Sequence, residues 1–474
     1  MGNACINLGR YHLATKNYLQ GLSVYNYKYQ TGNILLKWNL KLETFLRQKF
    51  IKRFMLTSSK KISKDSLKVA EFLHLLSVSL LMEGKQISSL KTCQISLNLG
   101  FTNTNPWNFY EKCQLFLSVA KNLEQLKNYQ LLEILIENIF LMIRQKENWC
   151  NVEELIVLAN IFFAIIKIEF RRGNFAKTVA IGTKLLRLTN ILHLYQIKLI
   201  ALPLIIESMM RLKRFNETVD LMHELFYLSP ADSDKSSLTW YYALSVDLVL
   251  DAGITLESYQ NCLTFAEKII DKIFPIVRDP EGKKRLIVSI RTWQLRNGIT
   301  VNAFLSQSVK TYINLLEIDE LSQIITTCRI LECLLLTLTS YINLGKYLEA
   351  DKLTEKIAKI LKLLENETET NIFITPRLHL LKAYLCLIKN KKLSTTLNLC
   401  KAKKLAKKYG NHMDLAWIIQ NEKMWKIVNY KNITPYWIEY IANNDGINWK
   451  YVESLNIYEW STILYPMPIP NSII

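Results

Sequence analysis

The sequence predicts an all-α protein, a solenoid of helix pairs repeating every 40–47 residues or so. Three observations carry that prediction. Breakers are scarce, with 14 glycines and 10 prolines in 474 residues, and no proline falls between Trp107 and Leu202. A strand-rich chain needs turn residues every ~8–12 positions. Half of the residues are apolar, which leaves enough hydrophobic surface to fold most of the length. One turn signature recurs at nearly even intervals, and fixed-period self-similarity is the mark of a repeat architecture.

The opening segment supplies the template: Gly9, Tyr11, Ala14, Tyr18 and Gly21. This is the pattern of the second half of a tetratricopeptide repeat. Glycine ends the first helix, an aromatic two positions later packs under the turn, and a small residue three further on lets the second helix approach closely. The same signature appears as Gly173, Phe175, Thr178; as Lys213, Phe215, Thr218, closed by Pro230; and as Gly345, Tyr347, Ala350. Weaker copies start at Gly84, Lys127, Gly253, Gly298 and Lys391. The successive spacings are 43, 46, 40, 40, 45, 47 and 46 residues. The period exceeds the ~34 of a standard tetratricopeptide repeat, which implies longer helices or longer connections. The class is therefore a tetratricopeptide-like α-solenoid. Each helix pair buries its apolar face only against its neighbours, with the first helix of each pair lining the inner surface.

The organisation expected along the chain has four parts. Residues 1–273 form an amino-terminal half of the superhelix with a truncated first repeat. Residues 274–284, "FPIVRDPEGKK", form a loop or hinge, and 285–425 carry the carboxyl-terminal repeats. Residues 426–474 form a capping tail with Trp437, Trp449 and Trp460, ending in an extended, proline-alternating "YPMPIPNSII". At the other end, Gly2 and Cys5 suggest a lipidated terminus, but myristoylation requires Ser or Thr where Ile6 stands. Gly9 at a helix–helix turn leaves room for only about two helical turns before it. "NACINL" thus reads as a helix stub with Cys5 and Leu8 on its packing side. Met1 reads as an internal methionine of a longer protein, or the first repeat as frayed.

The net charge is +19, yet arginine supplies only 15 of 60 basic residues. Lysine-, isoleucine- and asparagine-rich usage marks an A/T-rich genome, and phosphate-reading proteins favour the arginine fork. Nucleic acid is therefore not the expected partner. The run "KAKKLAKK" places Lys401, Lys404 and Lys408 on one helical face and Leu405 on the other. It is either a docking patch for an acidic partner or the solvated face of a helix whose cations complement its dipole; "RQKFIKR" (47–53) has the same status. Nine scattered cysteines without C-x-x-C, and no signal peptide, point to reduced thiols in the cytoplasm. Cys328 and Cys333 read as buried small hydrophobes. The most apolar run, 155–170, is interrupted by Asn160 and Lys167 and falls short of a membrane span.

No phosphate-binding loop, nucleophile elbow, zinc-helix or calcium-loop motif occurs. "HELFY" (223–227) lacks the second histidine a metal would need, and the six histidines are isolated. Carboxylates read as surface filler. No catalytic, cofactor-binding or metal-binding residue, and no cofactor, is expected.

One segment adds a resemblance. "LTWYYALSVDLVLDAGITLESYQNCLTFAEKIIDK" (238–272), preceded by "ALPLIIESMMRLKRFNETVDLMHEL" (201–225), resembles the carboxyl-terminal helical region of the soluble, type 10 adenylate cyclases. The resemblance implies a non-catalytic regulatory region linked to cyclic AMP signalling, which could pack on cyclase catalytic domains in cis. It transfers no catalytic residue. The alternative is a free-standing tetratricopeptide adaptor that takes a protein or peptide partner in its concave groove.

Overall fold

The structure is a computed structural model, and it describes residues 2–27, 66–100, 109–126, 128–146, 151–228, 235–270, 280–298, 321–426 and 466–469, with isolated positions 29, 307 and 309. Among the described residues there are helices and no strand. The chain divides into two compact units, Met1–Ile165 and Ile166–Ile474.

The turns lie where the repeat signature puts them. Gly9, Gly84, Gly173, Gly253, Gly298 and Gly345 all have φ between 66° and 78°, and Lys213 occupies the same left-handed region at 64°. The turn expected at Lys391 is made one residue earlier, by Asn390 at φ 54°. Lys127 lies outside the described residues. The turns at Gly9, Gly84, Gly173, Lys213, Gly345 and Asn390 share a pair of hydrogen bonds, as in Gly173 N–H to Phe170 O (2.9 Å) and Asn174 N–H to Glu169 O (2.9 Å). This pairing satisfies the last carbonyls of a helix while reversing the chain.

The first unit holds α1 (Gly2–Asn7), α2 (Tyr11–Val24), α3 (Ser66–Met82), α4 (Gln86–Gly100), α5 (Phe109–Gln125), α6 (Tyr129–Gln145) and the start of α7 (Val152–Arg171). Each of α1 to α5 packs on the next. Ala14, Tyr18 and Leu22 of α2 bury against Val69, Leu73, Leu76 and Leu80 of α3. Both sets recur at helical spacing, so two apolar stripes meet. Cys5 packs against this cluster, but Leu8, expected on the packing side, is 69 % exposed. It sits beyond the last residue of α1, where the chain has already turned away.

His74 of α3 is buried, its Nδ1 has no hydrogen-bond partner among the described residues, and burial pushes its imidazole down to about 4. The unfolded chain therefore binds a proton that the folded one refuses. Stability of this unit is expected to fall as pH drops from about 6.5 to about 4, by on the order of 3 kcal/mol. Hydrogen exchange of α3 amides checks this. His74→Leu should flatten the dependence, and an unchanged slope in that variant would refute the assignment.

The second unit continues α7 from Ile166 and adds α8 (Phe175–Ile191), α9 (Tyr195–Arg211), α10 (Phe215–Leu228), α11 (Ser236–Ala252), α12 (Tyr259–Ile270), α13 (Pro280–Arg296), α14 (Leu321–Asn343), α15 (Tyr347–Glu367), a 3-10 turn (Ile372–Ile374), α16 (Thr375–Ile388), α17 (Lys392–Lys408) and α18 (His412–Lys426). Residues 280–284, expected in a loop, open α13 instead. Pro280 takes the first helical position, where its missing N–H costs nothing. Residues 274–279 lie outside the described residues.

Two kinds of helix occur here. α8, α10, α12, α15 and α17 each bury a single stripe, such as Phe215, Thr218, Val219, Met222 and Leu225 in α10. α9, α11, α13, α14 and α16 are buried on nearly all faces, including polar positions. The stripe helices form an outer layer around these inner ones. Successive inner helices pack together, and α18 packs on α16, α9 and α11, so the inner set closes on itself.

The signature residues explain the contacts between layers. Thr178, Thr218 and Ala350 are buried as expected, and Phe175 and Phe215 pack under their turns. Tyr347 does not, being 67 % exposed. At Gly182 of α8 an added Cβ would lie 2.7 Å from Ile205 of α9, so this pair depends on the absence of a side chain. Among the described residues one window, Gln323–Asn343 of α14, is long and apolar enough to cross a membrane by length and composition, and 83 % of it is buried.

Candidate functional site

The inner helices carry charges where apolar residues would be expected. On α11, Asp247 and Asp251 stand four residues apart and share one face. α13 contributes Arg285 and Arg296, α14 Arg329 and Glu332, α9 Glu207 and Arg211, α16 Arg377, and α18 Asp414. All ten residues are at most 7 % exposed.

They form one continuous network. Glu207 bonds Arg211 at 2.7 Å and Arg285 at 3.3 Å. Arg285 Nε donates to Asp247 Oδ2 at 2.6 Å, and Ser289 donates to Asp247 Oδ1 at 2.7 Å. Arg329 is the hub. It reaches Asp247 (3.1 Å) and Asp251 (2.6 Å) through one nitrogen and Glu332 (2.9 Å) through another. Glu332 also pairs with Arg296, whose other nitrogen donates to the Leu250 carbonyl at 2.6 Å. Arg377 joins Asp251 (2.9 Å) to Asp414 (2.9 Å). Asp414 in turn accepts from Asn411 Nδ2 at 2.7 Å.

Aromatic rings flank the ends of the network. Arg211 faces Phe170, Phe175 and Phe373 at 5.4–5.8 Å, and the buried Trp417 ring lies 4.5 Å from Arg296 and 4.9 Å from Arg377. Guanidinium groups lie favourably over such faces, more so when water is excluded.

Five arginines face five carboxylates, so the network is neutral and the net charge of +19 is carried elsewhere. Burial pushes the Asp251 carboxyl up, but Arg329 and Arg377 together outweigh it and hold it far below the usual carboxylate range. Burial likewise opposes the charge on Arg329 and Arg377, and their carboxylate partners raise both. A general base needs a pKa near the working pH; Asp251 is held far from it. What the arrangement does supply is registry. Four of the five arginines, Arg285, Arg296, Arg329 and Arg377, meet carboxylates from other helices in fixed directions, and a shift of one helix would leave a charge unpaired in low dielectric. Since the Asp251 pKa is depressed on folding, its contribution is present above the unfolded value of about 3.9 and is lost only below it. The Asp251 contribution should therefore be lost in a more acidic window than the His74 contribution of the first unit, whereas His379 and His412, both pushed down by burial, add a loss in the histidine range to the second unit.

A second constellation lies at α14, α16 and α18. Residues Pro466–Ile469 run extended against it, and Met467 is completely buried. Among the described residues, 466–469 have no regular secondary structure and are held against these helices. Trp437, Trp449 and Trp460, expected as the cap, lie outside the described residues.

The other sequence candidates do not converge. His223 is exposed on α10, and among the described residues no His, Cys, Asp and Glu cluster could hold a metal ion. Cys328 and Cys333 are buried free thiols, pushed up to about 12 and about 11 by burial. Lys401, Lys404 and Lys408 are exposed on α17, whose buried face is Ala402 and Ala406 rather than Leu405, which is half-buried. "RQKFIKR" (47–53) lies outside the described residues. Reading carboxylates as surface filler misplaced Asp247, Asp251 and Glu332. The available signal was a charge inside a helix apolar all round, as in "SVDLVLDA" and "RILECLLL".

No family model matches the chain. Among curated proteins it is similar to adenylate cyclase type 10 of Rattus norvegicus, 21 % identical over 465 residues, covering 90 % of this chain and 26 % of the relative. The same protein of Oryctolagus cuniculus is 25 % identical over 235 residues, 48 % of this chain and 14 % of the relative. That of Mus musculus is 22 % identical over 280 residues, 54 % and 16 % respectively. The chain spans about a quarter of the length of the first of these relatives and less of the others. These similarities relate it to a protein of cyclic AMP signalling.

Proposed function

We propose that the chain is a non-catalytic regulatory region of a type 10-like adenylate cyclase, built as a tetratricopeptide-like solenoid and matching the carboxyl-terminal helical part of that protein. The observation that carries this reading is coverage: similarity runs along 90 % of the chain while taking in only 26 % of the relative. Left-handed turns at the repeat positions, with inner helices alternating with outer ones from α8 to α13 and from α14 to α17, support the solenoid part. The self-neutralised interior supports a scaffold role, since its charges are committed to each other. Cytoplasmic location belongs to the same proposal.

Purified chain mixed with ATP and manganese should yield no cyclic AMP above buffer. Deleting the matched stretch from a type 10 cyclase should change its rate at least twofold while its catalytic domains stay folded. Turnover by the isolated chain, or an unaltered rate after deletion, would refute the reading.

The adaptor alternative has an observation of its own: side chains of inner helices already hold an extended peptide, the segment Pro466–Ile469.

A further inference from the structure

Prolines at 466, 468 and 470 prevent this segment from being helical, and they leave Met467 with the only backbone N–H between 466 and 468. That N–H donates to Asn421 Oδ1 at 2.8 Å. The Met467 carbonyl accepts from the Trp425 indole at 3.3 Å, and the Pro468 carbonyl accepts from the Tyr384 hydroxyl at 2.8 Å. Side chains make all three of these contacts to the peptide backbone.

Those side chains are set in place beforehand. Asn421 is buried and donates its amide to the Trp417 carbonyl at 2.8 Å, which points its oxygen at the peptide. The Tyr384 hydroxyl shares a 2.9 Å hydrogen bond with Thr339 of α14. The Tyr384 and Trp425 rings stack, 16° from parallel with centroids 5.6 Å apart. Three inner helices therefore contribute to one seat.

Bonds from side chains to a backbone recognise extended chain as such, and selectivity then falls to whatever fills the pocket. Here that is one unbranched apolar side chain, a methionine that adapts to its surroundings. The flanking prolines hold the strand extended before it binds, which lowers the entropy cost. Forty positions of sequence separate Lys426 from Pro466, so the segment is no continuation of α18. It occupies the seat as a ligand carried on the same chain.

We infer that this face of α14, α16 and α18 is a binding site for an extended peptide with one apolar residue between two prolines, and that Pro466–Ile469 is its resident ligand. A second peptide of the same chemistry binds only when the tail leaves. The inference does not depend on the relation to cyclases.

The test uses the full chain and a fluorescent peptide, LYPMPIPNS, copied from residues 464–472. Met467→Asp places a charge in the pocket and should eject the tail. That variant should bind the peptide saturably and at least tenfold more tightly than the wild-type chain. Adding Asn421→Leu to it should weaken binding at least tenfold. No saturable binding to a folded Met467→Asp chain, or equal binding to all three proteins, overturns the inference. If Met467→Asp loses helicity, amide exchange in the wild-type chain decides. The Met467 amide should exchange at least a hundredfold more slowly than in the free peptide, and exchange at the free-peptide rate overturns the inference.

Discussion

Arg329→Met is expected to destabilise the second unit by about 3–5 kcal/mol. Arg329 touches Asp247, Asp251 and Glu332 at once. Methionine fills similar space but removes the cation, and the remaining buried residues then carry one unbalanced negative charge. That residual charge, rather than the worth of the lost bonds, sets the cost. Native pairs of this sort are poor evidence for net stability, because hydrophobic replacements of whole networks are often neutral. The asymmetry supplies a control. Arg329→Lys keeps the charge but loses the planar fork, and should recover part of the loss. Denaturant unfolding followed by hydrogen exchange in α11 and α14 gives both numbers. A change below about 1 kcal/mol for Arg329→Met would mean that water or relaxation already screens these charges.

Trp417→Ala is expected to cost a comparable ~3–5 kcal/mol. The ring is fully buried and lies between Arg296 and Arg377. Its removal opens a cavity beside two arginines and strips each of an aromatic face worth about 0.5–2 kcal/mol. Trp417→Phe keeps an aromatic face at smaller volume and should lose much less. Thermal melts rank the three proteins, and equal melting temperatures for Phe and Ala would refute the expectation that an aromatic ring filling this site matters. Trp417 also offers its carbonyl to Asn421. The alanine variant should therefore loosen the tail seat as well, read as faster exchange at Met467.

Much of the helical layout was legible from short stretches of chain. A left-handed residue followed two positions on by an aromatic marks the start of α2, α8, α10 and α15. The stripes of the outer helices follow from 3.6-residue periodicity. Even the failures here are local: Tyr347 keeps the register of the signature but meets no partner beneath its turn, and Asn390 replaces Lys391 because asparagine tolerates positive φ better. The charged interior was not legible in the same way. A carboxylate on an inner helix looks like one on an outer helix until its surroundings are known. Only the run of apolar neighbours around Asp247, Asp251 and Glu332 distinguishes them.

Helix starts, turns and buried stripes depend on backbone sterics and side-chain order within a few residues, so one strand of sequence contains them. Which charges pair depends on distance in space. Arg285 meets Asp247 across 38 positions and Arg377 meets Asp251 across 126, while Met467 finds Asn421 across 46. Those separations are set by how the inner helices close on one another. Coulomb attraction and desolvation act only after that closure, so the neutral core and the occupied peptide seat belong to the tertiary structure alone.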